Sequence, residues 1–586
     1  MGKCECDPHL PQGPNGYILE SGAHPAVQKA LSDLNRRDFL KRVGMGAAGL
    51  TCADFLGFFG QRGMAGEQSR VFTQKAKEVA GQAEPKFLIY WFLEGGWEGY
   101  DCFNPVVTPN NIFPESRLPS ISDETYRVLK FGQPGYGIYK QGNIRYGYLA
   151  EDGKSLFPDL AVVSSMETGS GHSGERLRCH MGHYKFAQTA DREDDERSVM
   201  QAFAEVYGQP YVMPNVSWHY WLSDGELNEV QYTGRKGYYH ALGPVHAHTI
   251  YAGTPANLSR FLLRMYDSSN DVVNRQVQQF LENANSVATN DQYIEALKSY
   301  NSARQIYENL ANKGKSLDKS MLNKLFGDPA LKERFSVTPP DELITYRSVN
   351  GNKARTKFCP NTNVQAMMTY ELMRAGLSCS FFIESRDIRR FDSHHNRSNL
   401  WEKDGRTPKG QPDQTAMMKE HMWKPLLSLV ELLKTTEYGS TGKSLYDLTT
   451  IVLTSEFGRT IRGDVESIQQ MKIAEDEKKK QIEGQDISQH WKVTSAAFLG
   501  GKVKGNSQFG AVGEKTLLPI PLMPDGTLDP AYDPVSGVLP KDKKKSEKSS
   551  VPDHGDVYAT ALYLSGIDPK GKGKNERPPM TYIKKS

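Results

Sequence analysis

Four largely apolar runs, each ending in or followed by glycine or a polar residue, constrain this chain more than any other feature. They are "PKFLIYWFLEGG" (85–96), "DLAVVSSM" (159–166), "LSCSFFIES" (377–385) and "DLTTIVLTSEFG" (447–458). A strand with one wet face alternates apolar and polar residues, whereas an unbroken run requires cover on both faces, as in a parallel sheet between helix layers. Two amphipathic stretches precede the last two runs. "NVQAMMTYELMRAG" (363–376) stops at Gly376, and "AMMKEHMWKPLLSLVELLKTT" (416–436) sets Met418, Met422, Leu426, Val430 and Leu433 at helical spacing. Helix followed by strand, repeated, predicts a doubly wound α/β domain with a mostly parallel sheet. The first part of that core is expected over 85–254 and the second over 336–586. Between them, 255–335 is polar and helical in pattern, a helical insertion. Two charge-rich stretches, 474–486 and 540–550, carry almost no apolar residues and are expected to be solvated loops.

Ahead of the core, "NRRDFLKR" (35–42) is followed by a small apolar run. Twin arginines, Phe39, Leu40 and Lys41 match a twin-arginine export signal, an address read by the translocation machinery rather than an anchor. Residues 43–59 are shorter than the roughly 20 needed to span a bilayer, and Asp54 interrupts them. Residues 1–66 are therefore set aside as a leader, with "GMAG" (63–66) as the best cleavage candidate. Cys52 does not fit a lipoprotein site, because Thr51 stands where a small residue is required. The reading is of an exported bacterial protein, periplasmic or similar, with no membrane helix in its mature part.

The mature part, about 520 residues, is long enough for one large or two to three ordinary domains. A net charge of +3 from 72 basic and 69 acidic residues sets up no field that recruits nucleic acid. Cys102, Cys179, Cys359 and Cys379 have no metal-binding spacing, which excludes a zinc framework and leaves room for one disulfide.

In open α/β sheets chemistry gathers at the carboxyl ends of the strands. "EGGWEGYDCFNP" there holds Glu94, Glu98 and Asp101, and "ETGSGHSGERLRCHMGHY" holds His172, Ser173, His180 and His183. "RRFDSHHNRSNLW" brings Asp392, His394 and His395, and "SEFGRTIRGD" with the later "SQHWK" brings Glu456, Arg459 and His490. One loop histidine is more often a surface hydrogen-bonder than a ligand, and Asp392 alone could cap a helix. Carboxylates and imidazoles at several strand ends converge in a parallel sheet, however, and together they are a ligand set for divalent metals.

"VVSSM" with His172, "FDSHHN", "VLTSEFGRT", "HWKVTSAAFLGGKVKGNSQFG" and "DVYATALYLSGID", in that order behind the leader, resemble the bacterial domain of unknown function family 1501. That family is an exported branch related to the alkaline phosphatase and sulfatase superfamily. The resemblance implies an alkaline-phosphatase-like fold and a divalent metal (Zn, Mn, Mg or Ca) held by Asp392 with His394 or His395, Glu456 and His490. It departs where Phe457 replaces a paired histidine and Gln489 replaces the usual Asp before His490. The superfamily's nucleophile is a Ser or Thr that opens a helix after a strand. The implied residue here is Ser173, with Thr168 and Ser170 as near alternatives, and Arg459 or His172 would steady the anionic transition state. The C/S-x-P-x-R element of formylglycine sulfatases is absent. The expected activity is hydrolysis of phosphate or sulfate esters, on a small molecule or a polysaccharide. Trp91, Trp97, Trp218, Trp221, Trp401 and Trp491 favour a different function, a catalytically silent envelope protein that binds a polysaccharide or anionic ligand in the same cleft.

Overall fold

The computed structural model describes residues 85–105, 139–169, 171–182, 198–208, 210–217, 249–251, 255, 258–259, 262–263, 319–337, 361–385, 391, 418–439, 441–459, 490–570 and 577–585. Among these residues twelve strands are formed. β1 (Phe87–Phe92), β4 (Ala161–Glu167), β5 (Asn215–Ser217), β6 (Thr249–Tyr251), β7 (Ser380–Glu384), β8 (Thr449–Thr454), β11 (Val493–Gly500) and β12 (Ser507–Phe509) make one sheet, in the order β12-β4-β11-β8-β1-β7-β5-β6. β2 (Tyr139–Gln141) pairs with β3 (Ile144–Tyr146), and β9 (Gly458–Arg459) with β10 (His490–Trp491). In the main sheet every strand but β11 runs the same way. The α/β class and the four predicted strands are all present.

The described helices are α1 (His172–Met181), α2 (Val199–Tyr207), α3 (Lys319–Lys324), α4 (Pro329–Arg334), α5 (Thr362–Arg374), α6 (Lys424–Thr435) and α7 (His554–Leu564). All six residues of β1 are buried, so both faces of the sheet are covered. Tyr90 and Phe92, which point the same way along β1, lie 5.9 and 5.0 Å from the His180 ring of α1. α7 packs against α1 and α2, while α5 packs against α6 as a second layer. Phe103, Phe157 and Trp423 pack ring against ring beneath the loop after β1.

α5 follows the sequence closely. The Asn361 side chain accepts from Val364 N at its start, and Gly376, at φ 61°, lets Leu377 N reach Leu372 O at its end. The stretch 416–436 departs from one regular helix: Met418–Trp423 is a π-turn and α6 starts only at Lys424. Pro425 has no N–H to donate back up the helix, which widens the ladder there. Met418, Met422, Leu426, Val430 and Leu433 are nevertheless all buried. Of the helical insertion, α3, α4 and a few residues near 255–263 are described. The charged stretch 474–486 lies outside the described residues, and 540–550 is an exposed series of turns. No described helix is long and apolar enough to cross a membrane.

Candidate functional site

The carboxyl ends of β1, β4, β7 and β8 open onto one edge of the sheet, and the loop after β1 ties the ends of β7 and β8 together. Gly95 N donates to Glu456 Oε1 at 2.8 Å, and Ser455 Oγ donates to Leu93 O at 2.6 Å. Phe391 N, beyond β7, donates to Glu94 O at 3.0 Å. The Trp97 indole donates to Thr494 Oγ1 at 2.9 Å, and Asn104 Nδ2 to Thr494 O at 3.0 Å, which fasten the same loop to β11. Gly95 and Gly96 take φ of 112° and 81°, values that only glycine adopts cheaply, and a Cβ on Gly96 would meet the Phe457 ring at 2.5 Å.

Glu456 is fully buried. Besides Gly95 N, Ser455 Oγ lies 3.2 Å from its Oε2, and His554 Nε2 lies 2.9 Å from its backbone carbonyl. A carbonyl only accepts, so Nε2 of His554 carries the proton, and burial lowers the His554 pKa to about 4. Cys179 Sγ stands 3.4 and 3.2 Å from the two His554 ring nitrogens. Near-equal distances put the sulfur off the lone-pair axis of either nitrogen. Burial first, then the Glu456 and Glu175 charges, push the thiol pKa well up, so this is packing and not a nucleophile–base pair.

α1 is tied to the edge by two arginines. Arg176 pairs with the fully buried Glu94, and Arg178 Nη2 reaches Asp553 Oδ2 at 2.5 Å. Asp553 also caps α7 in a reciprocal capping box with Asp556. Glu175, on the inner side of α1, has its pKa raised to about 7 by burial, against the opposing pull of a Gly169 backbone bond and Arg178.

The predicted site residues are placed as follows. Glu456 lies just beyond β8, and His490 begins β10, directly opposite Arg459 in the ladder. Phe457 lies between them: its ring is 4.2 Å from His490, and the Arg459 guanidinium stands 5.6 Å from it on the ring face. Arg459 is fully buried and donates to the carbonyls of Gly95 and Gly96. His172 and Ser173 open the first turn of α1, the strand-to-helix position expected of them. Asp392, His394 and His395 lie outside the described residues. Among the described residues no group of three His, Cys, Asp or Glu side chains is arranged to hold a metal ion. The described donors, Glu456 and His490, are of the right chemistry but do not complete a cage, so the ligand set depends on Asp392, His394 and His395. Cys102, Cys179 and Cys379 are buried and form no disulfide, while Cys359 lies outside the described residues. Trp91, Trp97 and Trp491 are core side chains rather than an exposed stacking surface, while Trp218, Trp221 and Trp401 lie outside the described residues.

Sequence reasoning does not single out Arg176, Arg178, Glu175 or His554. The one local signal for the last is the Asp553/Asp556 spacing of a capping box, which marks the helix start.

No family model and no curated protein matches the chain. Among solved structures it is similar to the lipoteichoic acid synthase LtaP from Listeria monocytogenes, at 9% identity and a TM-score of 0.31, covering 87% of this chain and 82% of that one. It is also similar to the PsFucS1 sulfatase from Pseudoalteromonas sp., at 12% identity and a TM-score of 0.31, covering 88% of this chain and 75% of the other. At those values the likeness bears on neither activity nor ligand.

Proposed function

We propose that the chain is an exported, metal-dependent hydrolase of phosphate or sulfate esters, of the kind its resemblance to domain of unknown function family 1501 implies. One observation carries the reading: the loop after β1 receives the chain beyond β7 and the carboxylate beyond β8 at consecutive residues. Phe391 N bonds to Glu94 O, and Gly95 N bonds to Glu456 Oε1. Phe391 is the residue before Asp392 in the sequence, so the chain that carries one candidate ligand and the carboxylate of another, Glu456, meet the loop from its two flanking strands. A carboxylate oxygen that accepts one backbone bond retains a lone pair, and such bonds orient ligands in known metal sites.

In this reading Asp392, His394 or His395, Glu456 and His490 hold the divalent ion, which would supply Lewis acidity to the ester. His554 fixes Glu456 through its backbone carbonyl and Gly95 fixes it through its carboxylate. Ser173 is the nucleophile, in a first helical turn whose backbone N–H groups favour an anionic group. Arg459, bound to Gly95 and Gly96, shapes the loop, which leaves His172 as the residue offered for charge stabilisation.

The test is elemental analysis of the protein purified from its exported compartment, with a screen of aryl phosphate and aryl sulfate esters. About one or two equivalents of metal, lost in Glu456→Ala and His490→Ala together with ester turnover, support the reading. A folded, metal-free protein with no turnover sinks it and leaves the ligand-binding envelope protein.

A further inference from the structure

Outside the sheet edge, residues 510–550 form an arm of turns, and its end is densely charged. "KDKKKSEK" (541–548) holds five lysines against Asp542 and Glu547, and every one of those lysines is exposed. Such a run is normally a loose, solvated coil. Here it is tied down. Asp529, almost fully buried, accepts from Ser546 N at 2.9 Å and Ser549 Oγ at 2.5 Å with one oxygen, and from Ala531 N at 2.9 Å with the other. Leu522 bridges Ser550 on one side and Leu528 on the other, which clamps the end of the run to a short hairpin. Beside it, Met523, Pro524, Asp525, Thr527, Leu528 and Pro530 line an open hollow of about 450 Å³.

We propose that this lysine turn is a docking site for an anionic polysaccharide. Like charges held at fixed spacing repel one another, and a polymer bearing sulfate, phosphate or carboxylate groups relieves that repulsion while releasing its counterions. Asp542 and Glu547 in the turn, and Asp525 and Asp533 nearby, oppose binding and limit it to densely charged polymers. Nucleic acid is the lesser fit: the run 541–548 has no aromatic side chain on which a base could stack and no arginine fork, and of the flanking tyrosines Tyr558 is buried and Tyr532 half-buried. Placement adds a role. Four residues after Lys548, Pro552 O accepts from Glu167 N at the end of β4, so Lys548 stands within about 14 Å of chain length from that strand end and Lys543 within about 32 Å. A polymer held there is presented to that edge, a deepening that rests on the ester-hydrolase reading; docking itself does not.

The test uses heparin as the probe and the full exported chain, with affinity measured at low salt and at about 0.5 M salt. The triple variant K543Q/K544Q/K545Q is expected to bind about tenfold more weakly, while K443Q/K502Q/K570Q, with the same change in net charge at exposed lysines elsewhere, stays within about twofold. Asp529→Asn keeps every lysine but unties the turn, and about threefold weaker binding is expected. No binding at low salt, equal losses in both triples, or tighter binding to duplex DNA than to heparin would each overturn the proposal. All of these readouts stand apart from ester turnover, so failure of docking and failure of catalysis are separable.

Discussion

The sheet edge around Glu456 and the lysine turn around Asp529 are both held by carboxylates, yet they are opposite kinds of structure. At the edge, Glu94 and Glu456 are enclosed on every side, Arg459 is fully buried with them, and Arg176 has only 11% of its side chain exposed. On the arm, one nearly buried aspartate tethers a turn whose other charges all face water. Enclosure makes the first rigid and costly to alter. The second is cheaper to alter because only its one carboxylate is enclosed, and a turn released from it opens into water.

The largest effect expected on that contrast comes from Arg176→Leu. It strands the Glu94 carboxylate in the interior, and breaking a buried pair from one side typically costs about 3–5 kcal/mol. Chemical denaturation checks the loss. If the cost lies in the orphaned charge, Arg176→Leu combined with Glu94→Gln is more stable than Arg176→Leu alone; a double variant that is less stable shows that the arginine acts by packing.

Next comes Gly458→Ala. A Cβ there would stand 1.9 Å from Val493 O, a backbone atom that cannot swing aside. About 2–3 kcal/mol is expected, the upper range for overpacking, with ring contacts of Phe457 and His490 disturbed. A thermal melt within about 1 °C of the parent would mean that the edge yields more readily than its burial implies.

How much of this edge is legible in the sequence follows from the same contrast. β1, β4, β7 and β8 are legible because burial on both faces writes an unbroken apolar run. β11 is not legible as a strand: "VTSAAFLG" (493–500) is built largely from small and hydroxyl side chains that fit between β4 and β8, a pattern hard to tell from a loop. Glu456 stands out as a polar residue at a strand end. His554 does not, because it acts on the Glu456 carbonyl across 98 residues of chain, and a contact to backbone leaves no side-chain pattern. Likewise the solvated character of 540–550 follows from its composition, while its tether Asp529 looks like any loop aspartate.

Titration sharpens the comparison within a single helix. Burial lowers the His180 pKa from 6.5 to about 3, and raises that of Glu175 from 4.5 to about 7. Below about pH 6.5 the unfolded chain takes up the histidine proton and the folded chain does not, so this group makes stability rise with pH between about 3 and 6.5. Glu175 works the other way: the folded chain keeps a proton that the unfolded chain releases above about pH 4.5, so stability falls as pH rises toward about 7. Calorimetric melts at stepped pH should show His180→Leu losing less stability in acid than the parent. Glu175→Gln should keep the stability that the parent loses between about pH 5 and 7. Curves parallel to the parent for both variants would mean that neither group is enclosed as described.

The smallest effect is expected at the arm. Asp529→Asn preserves size but turns an NH₂ group toward one set of donors, either Ala531 N or Ser546 N with Ser549 Oγ, and removes the charge that the nearby Lys545 favours. Because the exposed turn can open locally and pass its freed donors to water, about 1–2 kcal/mol is expected, confined to the turn. Limited trypsin digestion should cut among Lys541, Lys543, Lys544, Lys545 and Lys548 several times faster while the global melting temperature barely moves. If the melting temperature falls as far as in Gly458→Ala, the arm is not a tethered appendage but part of the same cooperative unit as the sheet edge, through the short path from Ser549 to the Asp553 cap of α7.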